Sequence, residues 1–347
     1  MPDVEPKRKL TLAAVAREAG VSAPTVSKVI NGRDDVAEET RSKVMGVLAR
    51  TGYKSPLQQR RNLTGRQVVE VVFDSLNTAY AIEVLNGILE SAGESEIEVL
   101  LNVTGKQGTS RLSAEQRAAR IIDEGRCGMI VVTSAFSGAQ LGAFRRRGVP
   151  AVVIDPFNPP PAEVVSVGAT NWAGGKEATS HLLELGHRRI AYLGGPDGVE
   201  CNQARLHGYL AAMRANGVTV DSRYIIQGSF SSEHGVEGLK TLLRLQQRPT
   251  AIFAANDSIA LGVLAEARRQ GVRVPEDLSL VGFDGTSQAE ESVPALTSVA
   301  QPLQEMGRAA LRFILSQTRG ELLDSPRVEL ATHLVIREST APVQAVP

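Results

Sequence analysis

The sequence predicts an N-terminal all-α head followed by an α/β body of two doubly wound lobes. Three observations predict it. Two short stretches with helical apolar spacing flank Gly20-Val21-Ser22 near the start of the chain. From Val68 onward, seven short apolar runs alternate with helical stretches, the pattern of parallel sheets covered by helices. Charge divides along the same line: residues 1–66 carry 13 Lys and Arg against 7 Asp and Glu, residues 67–347 carry 25 against 31, and the whole is neutral. A basic head on an acidic body suggests that the head alone meets a polyanion.

Length and composition fit this class. The 347 residues are 42% hydrophobic and 22% charged, ordinary for a soluble chain of two or three compact units. No stretch approaches the about 18–20 uncharged apolar residues of a membrane span, so no membrane association is expected. Met1 to Lys9 is polar and lacks the apolar core of a secretory signal,. The two cysteines, Cys127 and Cys201, therefore read as reduced thiols in a cytoplasmic protein.

In the head, Leu12, Val15, Ala16 and Ala19 recur at helical spacing. Thr11 offers a cap at the start of this helix, and Gly20 a left-handed stop at its end,. Ser22 caps a second helix, Pro24 suits its first turn, and Val26, Val29 and Ile30 form its inner face,. Two such helices make a helix-turn-helix. The outward residues of the second, Thr25, Ser27 and Lys28, are mostly short, which lets a helix approach base edges and phosphates. A third helix is expected from Glu38 to Thr51, ended by Gly52.

The segment LAAVAREAGVSAPTVSKVINGRDDVAEETRSKVMGVLARTGY closely resembles the head of the lactose/galactose repressor (LacI-type) family. The resemblance divides the chain into a head at 1–53, a hinge at 54–66 and an effector-binding body at 67–347. It implies that Ala23 and Pro24 sit where bases are read, with Lys28 beyond them. Thr25, Ser27 and Asn31 match phosphate-contacting positions, and Thr11, Ser22 and Tyr53 belong to the same interface. An Ala-Pro pair offers apolar contact to a thymine methyl rather than hydrogen bonds.

The hinge, KSPLQQRRNLTGR, is short and basic. In the family a brief helix forms here on DNA and pushes a Leu into the minor groove. A helix this short is marginal in water, so ordering coupled to binding is physically sensible. This chain departs from the pattern: the wedge position counted from Tyr53 holds Asn62, Leu63 follows, and Pro56 is one place late. Either the register slips by one or the wedge is weak. Arg60 and Arg61 supply phosphate contacts in both cases.

In the body, residues 68–73, 97–103, 128–132, 150–154, 189–195, 250–255 and 278–283 read as buried parallel strands,. Helices are expected from Ala79 to Ala92 and from Ala173 to Leu185, and the break between lobes near 165–168. VVIDP, HLLELGHRRIAYLGG, AIFAANDSIALGVL and VPEDLSLVGFDG resemble the family's periplasmic-binding-protein-like body. This implies lobe 1 at about 67–166 and 300–328, and lobe 2 at about 167–299 and 329–347.

Ligands in such folds sit beyond the carboxyl ends of strands. Those positions hold Asp74, Ser75, Ser134, Asp155, Asn256, Asp257 and Asp284. The family's effector contacts map onto Asp155, Arg205, Asn256, Asp284 and Gln301, with Tyr80 and Phe230 at positions where an aromatic covers the ligand. Carboxylate, amide and guanidinium together suit a polyol, so a sugar or sugar derivative is expected, with a nucleobase as the alternative. Leu85 and Ile88 lie on the helix that meets the partner subunit in the family and read equally as core.

The resemblance thus implies a regulator, most simply a repressor, that binds a palindromic double-stranded operator as a homodimer and answers to a small effector. The chain ends in TAPVQAVP rather than a heptad tail, so the sequence gives no support for an assembly beyond the dimer. No phosphate-binding GxxxxGK[ST] loop, GxSxG elbow or HExxH pair occurs,. The five histidines are scattered singly. Neither enzymatic activity, a cofactor nor a metal is expected.

Overall fold

The computed structural model describes residues 12–30, 36–51, 67–104, 112–133, 136–162, 164–321 and 325–344. The hinge at 54–66 and the candidate residues Thr11, Asn31, Tyr53, Arg60, Arg61, Leu63 and Ser134 lie outside them.

The head is three helices: α1 (Leu12–Ala19), α2 (Ala23–Ile30) and α3 (Glu38–Thr51). Val15, Ala16, Ala19, Val26, Val29, Val44 and Val47 are its buried core. Gly20 takes φ 66°, the left-handed stop that glycine adopts without penalty. The Ser22 hydroxyl accepts from the Thr25 amide at 3.3 Å, capping α2 as its sequence suggests. Arg50 pairs with Glu18 at 3.4 Å and ties α3 to α1.

The body is two six-stranded sheets. The first contains β1 (Gln67–Phe73), β2 (Ile97–Val103), β3 (Gly128–Val132), β4 (Ala151–Ile154), β5 (Val165–Ala169) and, far later, β11 (Arg327–Leu330). Its order is β11-β5-β4-β3-β1-β2, and every pairing is parallel. The second contains β6 (Ile190–Gly194), β7 (Ile225–Gln227), β8 (Ala251–Ala254), β9 (Ser279–Asp284), β10 (Thr297–Ala300) and β12 (His333–Val335). Its order is β12-β10-β9-β8-β6-β7, with β12 antiparallel to β10. Strands β3, β6, β8 and β9 are buried throughout, which is why they read as unbroken apolar runs.

Helices α4 (Ala79–Glu94), α5 (Ala114–Asp123), α6 (Gly138–Arg146) and α12 (Leu303–Arg319) cover the first sheet; α7 (Asn171–Glu184), α8 (Glu200–Ala215), α9 (Ser232–Leu243), α10 (Asp257–Gln270) and the short α11 (Ser287–Glu291) belong to the second. Leu85 and Ile88 are core, packed with α12 residues under β1; the exposed apolar residues of α4 are Ile82 and Leu89. Of the two readings open for Leu85 and Ile88, this is the core one.

The chain passes between the sheets three times. The first and third passages are stitched together. Thr170 donates its amide to Leu330 O at 2.9 Å, and the Thr332 amide donates to Thr170 Oγ1 at 3.0 Å. Such a seam restricts relative motion to a pivot.

Candidate functional site

Where the carboxyl ends of the two sheets face each other, a cleft of about 190 Å³ opens. It is lined from the first lobe by Asp74, Ser75, Thr78, Tyr80, Thr133, Asp155 and Phe157, and from the second by Arg205, Phe230, Asn256, Asp257, Asp284, Thr286 and Gln288, among others.

Backbone geometry marks this cleft. Among the described residues four non-glycine residues have positive φ, and three of them are Thr133 (44°), Asp155 (44°) and Asp284 (110°). All three line the cleft at strand ends. Such conformations cost free energy and persist where the surroundings enforce them, often at binding sites.

Each charged group is held by its own set of partners. Tyr80 donates its hydroxyl to Asp155 Oδ2 at 2.6 Å. Burial raises the pKa of Asp155; the Tyr80 hydrogen bond and the Arg205 charge oppose it. Tyr80 is itself pushed well above the usual phenol range by burial and by Asp155. Arg205 rides on α8 and lies over Phe283, its Cζ 3.8 Å from the ring centre. Its Nε donates to Asn171 Oδ1 at 2.8 Å, and its Nη1 to Ala255 O at 2.6 Å. Nη1 also lies 3.6 Å from Asp284 Oδ1.

Asp284 accepts from Gln301 Nε2 at 2.7 Å. Its pKa is raised well above the carboxylate range, by burial first, against the opposing charge of Arg205. Gln301 thus stands behind Asp284 rather than in the lining, and its Oε1 is buried without a partner. Asn256 caps α10: its Oδ1 accepts from the Ile259 amide at 2.9 Å, and its Nδ2 donates to Phe230 O at 3.3 Å.

The structure therefore brings Tyr80, Asp155, Arg205, Phe230, Asn256 and Asp284 to one cleft, with Gln301 in contact with Asp284. Thr133, Phe157, Thr286 and Gln288 also line it, and none was a sequence candidate. The signal for Thr133 was its place just after GMIVV, one residue before Ser134. Phe157 and Thr286 sit on loops whose course no periodicity reveals, and Gln288 on the five-residue α11, too short to show one. Asp257 reaches the cleft wall but spends its carboxylate inward, accepting from Ser298 Oγ (2.6 Å), the Thr286 amide (2.8 Å) and Thr286 Oγ1 (2.9 Å).

In the head, Ala23, Pro24, Thr25, Ser27 and Lys28 lie on α2, where Pro24 and Lys28 are exposed and the other three are half-buried. The Thr25 hydroxyl is bonded to Ser22 Oγ at 2.8 Å.

Comparison with known proteins covers nearly all of the chain. Residues 11–55 match the family model described as bacterial regulatory proteins, lacI family. Residues 179–340 match a periplasmic binding protein-like domain. The transcriptional regulator CelR of Thermobifida fusca is 34% identical over 97% of this chain and 100% of its own. The transcriptional repressor CytR of Escherichia coli is 32% identical over 95% and 96%. Among solved structures, a CelR–cellobiose complex superposes with TM-score 0.71 at 32% identity, covering 95% of this chain and 99% of that one. A lac repressor dimer bound to operator and the anti-inducer ONPF gives 0.70 at 25% identity, covering 96% and 100%.

Proposed function

The chain belongs to the lacI family of bacterial regulatory proteins, and from that premise we propose that it represses transcription as a homodimer on a palindromic operator, with DNA affinity set by an uncharged, hydroxyl-rich ligand, a sugar or sugar derivative, held between its lobes. The observation that carries the ligand reading is the balance of donors and acceptors in the cleft. Two buried carboxylates, Asp155 and Asp284, line it with one buried guanidinium, Arg205, while the third, Asp257, spends its carboxylate inward. Two donor nitrogens of that guanidinium are already committed to Asn171 and Ala255. Both groups of the Asn256 amide are also engaged. What the cleft has to spare is chiefly acceptor capacity, which favours a ligand rich in O–H donors and opposes a phosphate or carboxylate.

Relatives support the class. One structure is a regulator complexed with cellobiose, another is a lac repressor dimer on its operator. Tyr80, Phe157 and Phe230 in the lining favour a second reading, a flat nucleobase; the scarcity of free donors opposes it. For the dimer, α4 and β2 leave Ile82, Leu89, Leu100 and Leu101 exposed, apolar surface of the kind a partner subunit covers.

Mechanistically, a ligand that touches both lobes shifts their closure, and the dimer transmits this to the spacing of the two heads. The test is a thermal-shift screen of neutral sugars, sugar phosphates and nucleobases, repeated on Arg205→Ala. A neutral sugar should raise the midpoint of the wild type and fail on the variant. An unchanged response on the variant overturns the pocket assignment, and a response to a nucleobase or sugar phosphate alone overturns the ligand class.

A further inference from the structure

Behind the cleft, on the side of the chain crossings, lies a second and larger cavity of about 270 Å³. The two cavities share Asp155 and Cys201 in their walls. The rear cavity is bounded by β5 (Ser166 to Ala169) and β11 (Arg327 to Glu329) from the first lobe, and by the starts of α7 and α8 from the second.

Its lining has a definite chemistry. Glu200 and Glu329 join Asp155 as carboxylates, against one cation, Arg327, whose Nη1 is 3.9 Å from Glu200 Oε1. Glu200 and Glu329 both act on Asp155 as like charges. Trp172 presents a ring that is 47% exposed. Ser166 is 4% exposed and lines the cavity, and among the described residues its hydroxyl has no hydrogen-bond partner. Asp155 Oδ2 is taken by Tyr80 on the cleft side. Its Oδ1 lies 3.4 Å from where a Cβ on Gly168 would stand, and nothing else comes within 4 Å of that point.

We infer that this rear cavity is a second small-molecule site, selective for a protonated primary amine on a short apolar chain. An ammonium supplies three N–H donors for Asp155 Oδ1, the Ser166 hydroxyl and the glutamates, and offsets their negative charge. The Trp172 ring covers the apolar chain; its cation contact is made by Lys176 Nζ, 5.5 Å from the ring centre,. A neutral polyol satisfies the hydroxyl but leaves the carboxylates uncompensated, and an anion is repelled. Because both lobes contribute walls, an occupant bridges them on the side of the chain crossings and meets the front cleft at Asp155.

Putrescine is a suitable probe, with 1,4-butanediol as its neutral counterpart, on the full chain at low ionic strength. At a tenfold excess over its dissociation constant putrescine should raise the thermal midpoint by ~2–4 °C, and butanediol should not. Gly168→Val places methyl groups beside Asp155 Oδ1 at an extended strand position and should abolish the shift. Glu329→Gln, at an exposed position, should weaken putrescine about two- to fivefold with no change in fold. Absence of a putrescine shift, an equal shift with butanediol, or a shift unaltered in both variants overturns the proposal.

Discussion

Asp257 shows how a single carboxylate at a ligand cleft can serve architecture. It is 2% exposed, accepts three hydrogen bonds, and burial still raises its pKa to about 6. The folded value lies above the ordinary Asp value, so the native state holds the proton more tightly than the unfolded chain. Its contribution is complete below the usual carboxylate range and is lost as pH rises toward 6. Chemical denaturation of wild type and Asp257→Asn across pH 4–7 should show the wild type losing stability relative to the variant over that interval; parallel curves contradict this. Asn256 caps α10. Asn256→Ala should cost about 1 kcal/mol through loss of that cap, and Asn256→Ser should restore the stability, read as the denaturant midpoint. Residue-scale legibility was uneven. Strand-end positions exposed Asp155, Asn256 and Asp284 directly. Glu70, buried within VVEVVF, gave no hint that its partners would be Arg117 and Arg126, because those contacts arise only when α5 and the turn after it are packed against β1.

At the scale of elements, glycines decide how closely helices approach. A Cβ on Gly208 would stand 2.2 Å from Trp172 O, and one on Gly175 would stand 2.4 Å from Arg205 O. Helices α7 and α8 therefore meet backbone to backbone, and this contact places Arg205 over Phe283 and Trp172 at the rear cavity. Gly208→Ala should destabilise by about 1–3 kcal/mol or more, read as a lower denaturant midpoint at constant slope; a neutral effect would mean that the helices can part without cost. Across the mouth of the cleft, Glu83 Oε1 on α4 accepts from the Ser287 amide at the start of α11 at 2.9 Å, a latch between lobes. Glu83→Ala should weaken the ligand about tenfold through loss of a charge-assisted bond in the closed form, while the unliganded midpoint barely moves. Unchanged affinity would show that the latch does not bias closure. The long buried strands and α1 to α3 were legible because their apolar periods are long. Strands β7, β11 and β12, written IIQ, RVEL and HLV, were not: each is three or four residues long and half exposed, so neither length nor alternation marks it.

For the whole molecule, the two-lobed α/β body and the helical head followed from pattern. Which strand joins which sheet did not, since β11 returns to the first sheet after a full second one has been built. That return creates the stitched crossings, and with them a body that can pivot about one edge. The proposed regulator depends on this pivot being linked to DNA. The direct measurement is fluorescence anisotropy of a palindromic duplex, selected from a random pool by the full chain, titrated with and without the sugar found by thermal shift. The expected result is a dimer whose DNA affinity changes about 5–150-fold with the sugar, falls steeply with salt, and ceases to respond in Arg205→Ala. A protein that remains a single subunit, binds no duplex at low ionic strength, or holds DNA equally with and without the sugar would contradict it.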